Sequence, residues 1–517
     1  MSVGGATDGS RKWWTLLAVC VAVFMLLLDI TIVNVALPEI QRDLGSSFSD
    51  IQWVVDAYAL ALASLLLTAG SLADLLGRKR VFIVGIGLFT LASLLCGLSS
   101  SPLMLNLSRG LQGIGGAVMF ATSLALIAQE FQGRDRGIAL GVYGGTVGAA
   151  VAIGPLVGGV LTDTLGWEWI FFVNIPVSLG AIALAVTKIR ESRDPAGGRI
   201  DWAGVITFSG ALFLLVYALV EANEKGWTST QIVAMLGGAG VLLVLFAFAE
   251  WMQERPMLDL SLLRRPAFAG ASIAVFALSA SLLAMFLYIV LYIQNVLGYS
   301  ALETGVRFLP LSVASFVIAP LAGRLSARVP IRVLVGIGLA GVGVGLLLMA
   351  GVDRSSDWTA LLPGFILAGL GIGLANPPLL SAAVGVVPPE RSGMASGINT
   401  TFRQVGIATG IAGLGAIFQH RVETEAMTML AGTPLGASGR AGEFAHRIAS
   451  DGAGGGGSAP PGEREMLAEV ARTSFESGLN EILVVGGLLA LVGAVLAVAL
   501  VRSRDFVSGQ AAAARVA

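Results

Sequence analysis

Fourteen apolar stretches, each close to the length that crosses a hydrocarbon layer, dominate this chain of 517 residues. A membrane-spanning helix needs about 20 mostly apolar residues. The stretches run approximately over 13–38, 51–72, 81–99, 102–127, 137–161, 169–187, 203–220, 230–250, 268–293, 305–323, 333–351, 358–380, 392–418 and 481–501. Only 13% of residues are charged and 55% are hydrophobic, with a mean hydropathy of +0.83. A water-soluble chain carries about a quarter charged residues, so a soluble protein is excluded. The first stretch follows Arg11-Lys12, runs apolar to Leu28 and continues into Asp29-Ile30-Thr31 without a small-residue cleavage site. This predicts a retained helix, not a cleaved leader.

Lysine and arginine set the orientation. With the N-terminus in the cytoplasm, 21 of them fall on that side and nine outside, five of the nine in one long loop where the charge rule is weakest. Arg109 and Arg403, inside spans, complete the 32. Both termini are therefore expected to be cytoplasmic, with the chain crossing the cytoplasmic membrane many times. A net charge of −1 leaves no footprint for nucleic acid. Cys20 and Cys96 lie in apolar runs and form neither a disulfide framework nor a zinc site. No cofactor is expected. The four lysines precede Trp13, Arg80, Ile189 and Gly226, so the Gly-Lys-Ser/Thr phosphate loop that would bind ATP is missing.

An internal repeat divides the chain. Val84-Gly-Ile-Gly-Leu88 of the third span returns as Val335-Gly-Ile-Gly-Leu339 in the eleventh. Gly113-Ile-Gly115 then matches Gly371-Ile-Gly373, and Gly137-x-Ala139-x-Gly141 matches Gly393-x-Ala395-x-Gly397. The offset is always eight spans, which two six-helix bundles with two inserted helices produce, and parallel repeats of this kind build transporters. Expected units are 1–190, 191–255 and 256–517. The linker Lys188–Asp201 is polar. The outer loop over about 419–480 holds the flexible run Gly452–Ser458 and Pro460-Pro461, while Glu463–Glu481 extends the last helix outward.

Well inside the spans lie two acids, Asp29 and Asp56, and two bases, Arg109 and Arg403. A carboxylate at mid-bilayer costs roughly 2.5–3.5 kcal/mol on insertion scales, so such groups face wet cavities and carry function. At 1.5 Å per residue, Asp29, Asp56 and Arg109 sit roughly 13, 9 and 10 Å below the outer surface, one shared layer. A low-dielectric site favours the neutral form of an unpartnered carboxyl and a nearby arginine favours the charged form, so an acid that exchanges its arginine partner between conformations is a proton switch. Three readings follow: Asp29 or Asp56 carries the proton; the acids form a permanent ion bridge joining spans 1, 2 and 4; or one Asp binds a cation directly. His420 and His446 lie in the outer loop and offer no alternative carrier. One proton falling through 100 mV releases about 2.3 kcal/mol, enough for roughly a fortyfold solute gradient.

Several motifs carry a family resemblance. Gly70-Ser-Leu-Ala-Asp74-Leu-Leu-Gly77-Arg78-Lys-Arg80 resembles the signature loop of the major facilitator superfamily, and Leu28-Asp-Ile-Thr-Ile-Val-Asn34-Val-Ala-Leu-Pro38 the first-span signature of its 14-helix drug:proton antiporter branch. Arg109-Gly-Leu-Gln-Gly-Ile-Gly115 is similar to the fourth-span motif, and Gly145 with Gly154-Pro155-Leu-Val-Gly158-Gly159 to the fifth-span antiporter motif. Trp167–Pro176 is similar to the sixth-span entry, with Glu168 where arginine is more usual. The resemblance spans essentially the whole chain and implies the major facilitator fold, two six-helix bundles plus two central helices. It further implies that Asp74, with Arg78 or Arg80, latches the inner gate. It also implies that Gly154, Pro155, Gly158 and Gly159 approach the C-terminal half, sealing the inside or acting as a hinge. A topological basic cluster and ordinary small-residue packing are the plainer alternatives.

The span-12 counterpart of Arg109 is Leu367, which places proton chemistry in the N-terminal half. Asn34, Tyr58, Tyr288, Tyr292, Gln294, Asn376, Asn399, Arg403 and Gln404 are the candidate solute contacts, although any single aromatic is more often bundle core than ligand contact. Aromatic faces and a buried acid suit bulky lipophilic cations. The function expected is proton-coupled export of hydrophobic drugs or dyes by alternating access, or export of an endogenous metabolite, siderophore or lipid-like molecule. A membrane enzyme would need clustered nucleophiles or metal ligands in the spans, and a channel rings of charge or a filter repeat; the sequence has neither.

Overall fold

The computed structural model describes residues 5–131, 133–193, 201–253, 260–326, 328–386, 392–433, 435, 440–451 and 464–502. Six helices open the chain: α1 (Gly5–Leu44), α2 (Phe48–Leu76), α3 (Arg78–Gly97), α4 (Pro102–Glu130), α5 (Gly133–Leu165) and α6 (Asn174–Lys188). Two follow, α7 (Trp202–Lys225) and α8 (Thr230–Met252). The remainder is α9 (Pro266–Val296), α10 (Ala301–Leu325), α11 (Ile331–Met349), α12 (Leu362–Gly385), α13 (Ser392–Ala431), α14 (Ala441–Asp451) and α15 (Arg464–Leu500). Among the described residues eleven helices are long and apolar enough to cross a membrane, and α5, bent by 41° between Ala150 and Ile153, makes a twelfth. The bend falls four residues before Pro155, where a proline ring clashes with the preceding turn. With α2 and α13, of 29 and 40 residues, the described helices of spanning length number fourteen. We call the end where α1 begins and α15 finishes proximal, and the other distal.

The repeated glycines play the same part in each half. Gly115 of α4 lies against the backbone of Phe89 on α3, and Gly113 against the carbonyl of Tyr58 on α2; Gly371 of α12 lies against Gly338 on α11, and Gly373 against Ser315 on α10. A side chain at any of these points would force two backbones apart. The distal starts of α2 and α10 also match, each opened by a capping box, Ser47 with Asp50 and Ser300 with Glu303, that satisfies first-turn amides.

The halves meet along α5 with α10 and α2 with α13, two seams that the internal repeat makes equivalent. The inserted α7 breaks the equivalence. It lies across the second seam, where Val205, Phe208, Leu212 and Val216 share a buried cluster with Ala59 and Ala63 of α2 and Ala408 and Ala412 of α13.

The long distal segment departs from a solvated loop. α13 continues to Ala431, α14 is amphipathic, and α15 starts at Arg464, so that Leu430, Phe444, Ile448, Leu467, Val470 and Phe475 close a small helical cap on the same core as the spans. The Gly452–Pro461 run lies outside the described residues.

Candidate functional site

Arg109 sits at the centre of the N-terminal half with 1% of its surface exposed, and Asp29 is fully buried beside it. Its Nη1 donates to Asp29 Oδ2 and to Gln112 Oε1, both at 2.6 Å, and its Nε donates to the Val54 carbonyl at 2.9 Å. The other carboxylate oxygen, Asp29 Oδ1, accepts from Gln112 Nε2 at 2.8 Å and Asn174 Nδ2 at 2.9 Å, while Ser93 Oγ accepts from Gln112 at 2.9 Å. The guanidinium also stands 4.4 Å from the centre of the Tyr58 ring, a cation–π distance. One ion pair thus ties α1, α2, α3, α4 and α6 together.

Gln112 lies three residues after Arg109, one turn along the same helical face, which was the available signal for its role. Asn174 had a weaker one, its place in the Trp167–Pro176 motif.

Asp56 is equally buried and arranged quite differently. It accepts none of Arg109's three hydrogen bonds, and neither of its carboxyl oxygens has a hydrogen-bond partner among the described residues. The equal depths of the two acids therefore did not put them in one cluster: α2 turns Asp56 away from Arg109. One turn towards the distal end on the same face, Gln52 Nε2 donates to Tyr288 Oη at 3.1 Å and to the Ile411 carbonyl at 3.3 Å. Asp56 thus lies on the face of α2 that meets the C-terminal half.

The distal halves of the two bundles are joined directly. Gln52 crosses to Tyr288 and Ile411, and Gln294 Nε2 donates back to the Val35 carbonyl at 2.8 Å, while Tyr288 Oη donates to the Ile411 carbonyl at 2.7 Å within the C-terminal half. Phe48, Tyr288, Phe418 and Phe475 stack behind them, with Tyr292 on Phe475. Tyr288, Tyr292 and Gln294, expected along a solute path, are buried in this seal. Two π-helical turns, Ser279–Leu283 and Tyr292–Val296, interrupt α9 here and rephase its side chains.

At the distal rim Asp163 of α5 accepts from Ser300 Oγ at 2.6 Å and from the amides of Ala301 and Leu302 at 3.1 Å, capping the first turn of α10 in the opposite half. One turn below, a side chain on Gly159 would meet the Ala301 carbonyl at 2.6 Å and Leu302 Cα at 2.7 Å. Gly305 is pressed against the Pro155 carbonyl, whereas Gly154 and Gly158 pack on Thr31 and Ile32 of α1. Of the fifth-span residues, Pro155 and Gly159 touch the C-terminal half, at the distal end. Towards the proximal end the same seam opens: a side chain on Gly144, Gly145 or Gly148 of α5, or on Gly323 of α10, would meet nothing within 4 Å.

The Gly70–Arg80 loop is held within its own half. Gly77 takes φ +111°, and a side chain there would collide with Glu191, whose carboxylate accepts from the amides of Lys79 at 3.1 Å and Arg80 at 3.2 Å. Glu191 also lies 3.6 Å from Arg80 Nε, and the Arg78 amide donates to the Ser192 carbonyl. A side chain on Gly70 would meet open space. The side chain of Asp74 lies outside the described residues.

Asn34 lines a narrow cleft between the halves with Thr31, Pro155, Phe286, Phe308 and Ser312. Asn376 and Arg403 meet across α12 and α13 at 3.1 Å, and Asn399 is buried one turn before Arg403.

The model of the Major Facilitator Superfamily matches residues 19–411. The chain belongs to that superfamily. Curated members resemble it closely. It is 38% identical over 404 residues to the multidrug resistance protein Stp of Mycobacterium tuberculosis, covering 78% of this chain and 75% of that one. With the tetracenomycin C resistance and export protein of Streptomyces glaucescens the identity is 33%, over 94% of this chain and 91% of the relative. Among solved structures, a bacterial homologue of the human lysosomal transporter Spinster superposes with a TM-score of 0.58 at 17% identity, covering 96% and 98% of the two chains, a likeness of fold. The protein is thus a multi-pass membrane transporter of the superfamily.

Proposed function

We propose that this transporter exports lipophilic, cationic drugs or dyes across the cytoplasmic membrane in exchange for protons. The observation that carries the coupling is Asp56, a carboxyl group buried beside the seal between the halves with no donor or cation on it among the described residues. Burying an unpaired charge is so costly that the group takes up a proton instead. Asp29, which accepts from Arg109, Gln112 and Asn174, holds the N-terminal bundle together.

The excess of basic residues at the proximal end makes that end cytoplasmic. The distal seal is then the closed outer gate, and the conformation faces inward. In the cycle, an external proton reaches Asp56 through the open outer cavity and displaces the bound cation. The neutral form closes the outer gate, as α5 and α10 are closed here, and then loses its proton to the cytoplasm and accepts the next solute. Dye extrusion in everted vesicles, driven by an imposed proton gradient and abolished when the gradient is collapsed, tests this. Extrusion that persists without a gradient would rule out the coupling.

Relatives named a multidrug resistance protein and a tetracenomycin C resistance and export protein support export of more than one kind of antibiotic, or of one. Growth across a drug panel, with and without the gene, separates the two.

Two residues set the balance of states. Asp163→Ala removes the cap that α5 places on α10 and should raise the alkylation rate of a cysteine in the outer cavity by about threefold to tenfold. An unchanged rate would show that the contact holds nothing. Gly159→Val inserts an isopropyl group where backbone already touches backbone, so it should keep the outer gate from closing, with the same cysteine permanently reactive and export lost.

A further inference from the structure

The C-terminal half contains a cation that the proton cycle does not use. Arg403 lies eleven residues from the proximal start of α13, and Asn376 nine from the proximal end of α12, so both are roughly 15 Å deep, near mid-membrane. Arg403 Nη2 donates to Asn376 Oδ1 at 3.1 Å, and no carboxylate among the described residues comes within 4 Å of the guanidinium. The side chain is half-buried, not enclosed. An arginine at this depth does not face acyl chains, so its exposed part opens to the wet interior of the bundle. One turn earlier on the same face, Asn399 Nδ2 is a buried donor without a partner among the described residues. The contrast with Arg109, which spends its donors on a carboxylate, a side-chain amide and a carbonyl, is sharp.

We infer that Arg403, steadied by Asn376, is a recognition point for an anionic oxygen on the transported molecule, a phenolate or carboxylate carried on a planar apolar body. A guanidinium binds such oxygens by charge-assisted hydrogen bonds. Asp56 in one half serves cations and Arg403 in the other serves anions, so solutes beyond lipophilic cations are accepted. This extends the export reading to a second solute class.

The test uses two dyes with one xanthene core, fluorescein as the anion and rhodamine 6G as the cation, binding to the purified full-length protein in lipid nanodiscs, followed by fluorescence anisotropy. Arg403→Gln should weaken fluorescein by about tenfold to a hundredfold, the value of a charge-assisted hydrogen bond, and leave rhodamine 6G within about twofold. Arg403→Lys, which keeps the charge, should retain most of the fluorescein affinity. Asn376→Asp places a competing carboxylate beside the guanidinium and should cost fluorescein as much as Arg403→Gln, with the arginine still in place. Fluorescein binding to the unsubstituted protein no tighter than to Arg403→Gln would overturn the inference, as would equal losses of both dyes. Failure of energised vesicles to accumulate either dye would instead sink the export reading, whatever the binding result.

Discussion

Asp56→Asn is expected to reduce proton-driven extrusion to background while leaving the protein folded. The asparagine has the size of the protonated acid and is neutral at every pH, so the buried site loses no ionic partner, because Asp56 has none. What disappears is the exchange of proton for solute. In everted vesicles an imposed gradient should no longer drive dye uptake, whereas dye-for-dye counterflow should persist, because rocking about the seams does not need the carboxyl. Thermal stability in detergent should match that of the unsubstituted protein. Full gradient-driven transport in this variant would remove Asp56 from the mechanism.

Arg109→Ala should fail for the opposite reason. The guanidinium is the only cation on Asp29 among the described residues, and removing one partner of a buried pair costs about 3–5 kcal/mol because the remaining charge is stranded. Gln112 and Asn174 would still donate to that carboxylate, which places the loss at the lower end of the range. Low yield and a markedly lower unfolding temperature are the readout, with and without a proton gradient. The double variant Asp29→Asn with Arg109→Gln, which removes both charges, should regain part of that stability. A stable and active Arg109→Ala protein would show that the pair is no structural keystone and would return Asp29 to the list of proton carriers.

These two acids show how far a linear reading reaches. Depth along a helix is a count of residues, so a linear reading assigns each acid a level within its span. Which way each side chain turns depends on how its helix is rotated against its neighbours, and that rotation comes from contacts such as Gly113 on the Tyr58 carbonyl. The aromatic and amide residues of α9 carry the same lesson. Tyr288, Tyr292 and Gln294 have the chemistry of a solute contact, and the fold spends it on the distal seal, where π-turns interrupt their helix. Asp163 drew no attention because an acid at a helix end is cheap to solvate. Its importance lies in a partner, the start of α10, more than 130 residues away in the chain.

Length, apolarity and the placement of basic residues are one-dimensional quantities, and from them the sequence by itself determined the spans, the internal repeat, the orientation expected in the membrane and the short inventory of buried charges. Who pairs with whom was decided only in the tertiary structure. Pairing depends on the azimuth of each helix and on the few ångströms between halves, and both emerge from packing many distant glycines and side chains at once. The fold alone therefore separates a carboxylate saturated by Arg109 from one left without a partner, though each is an aspartate at nearly the same depth.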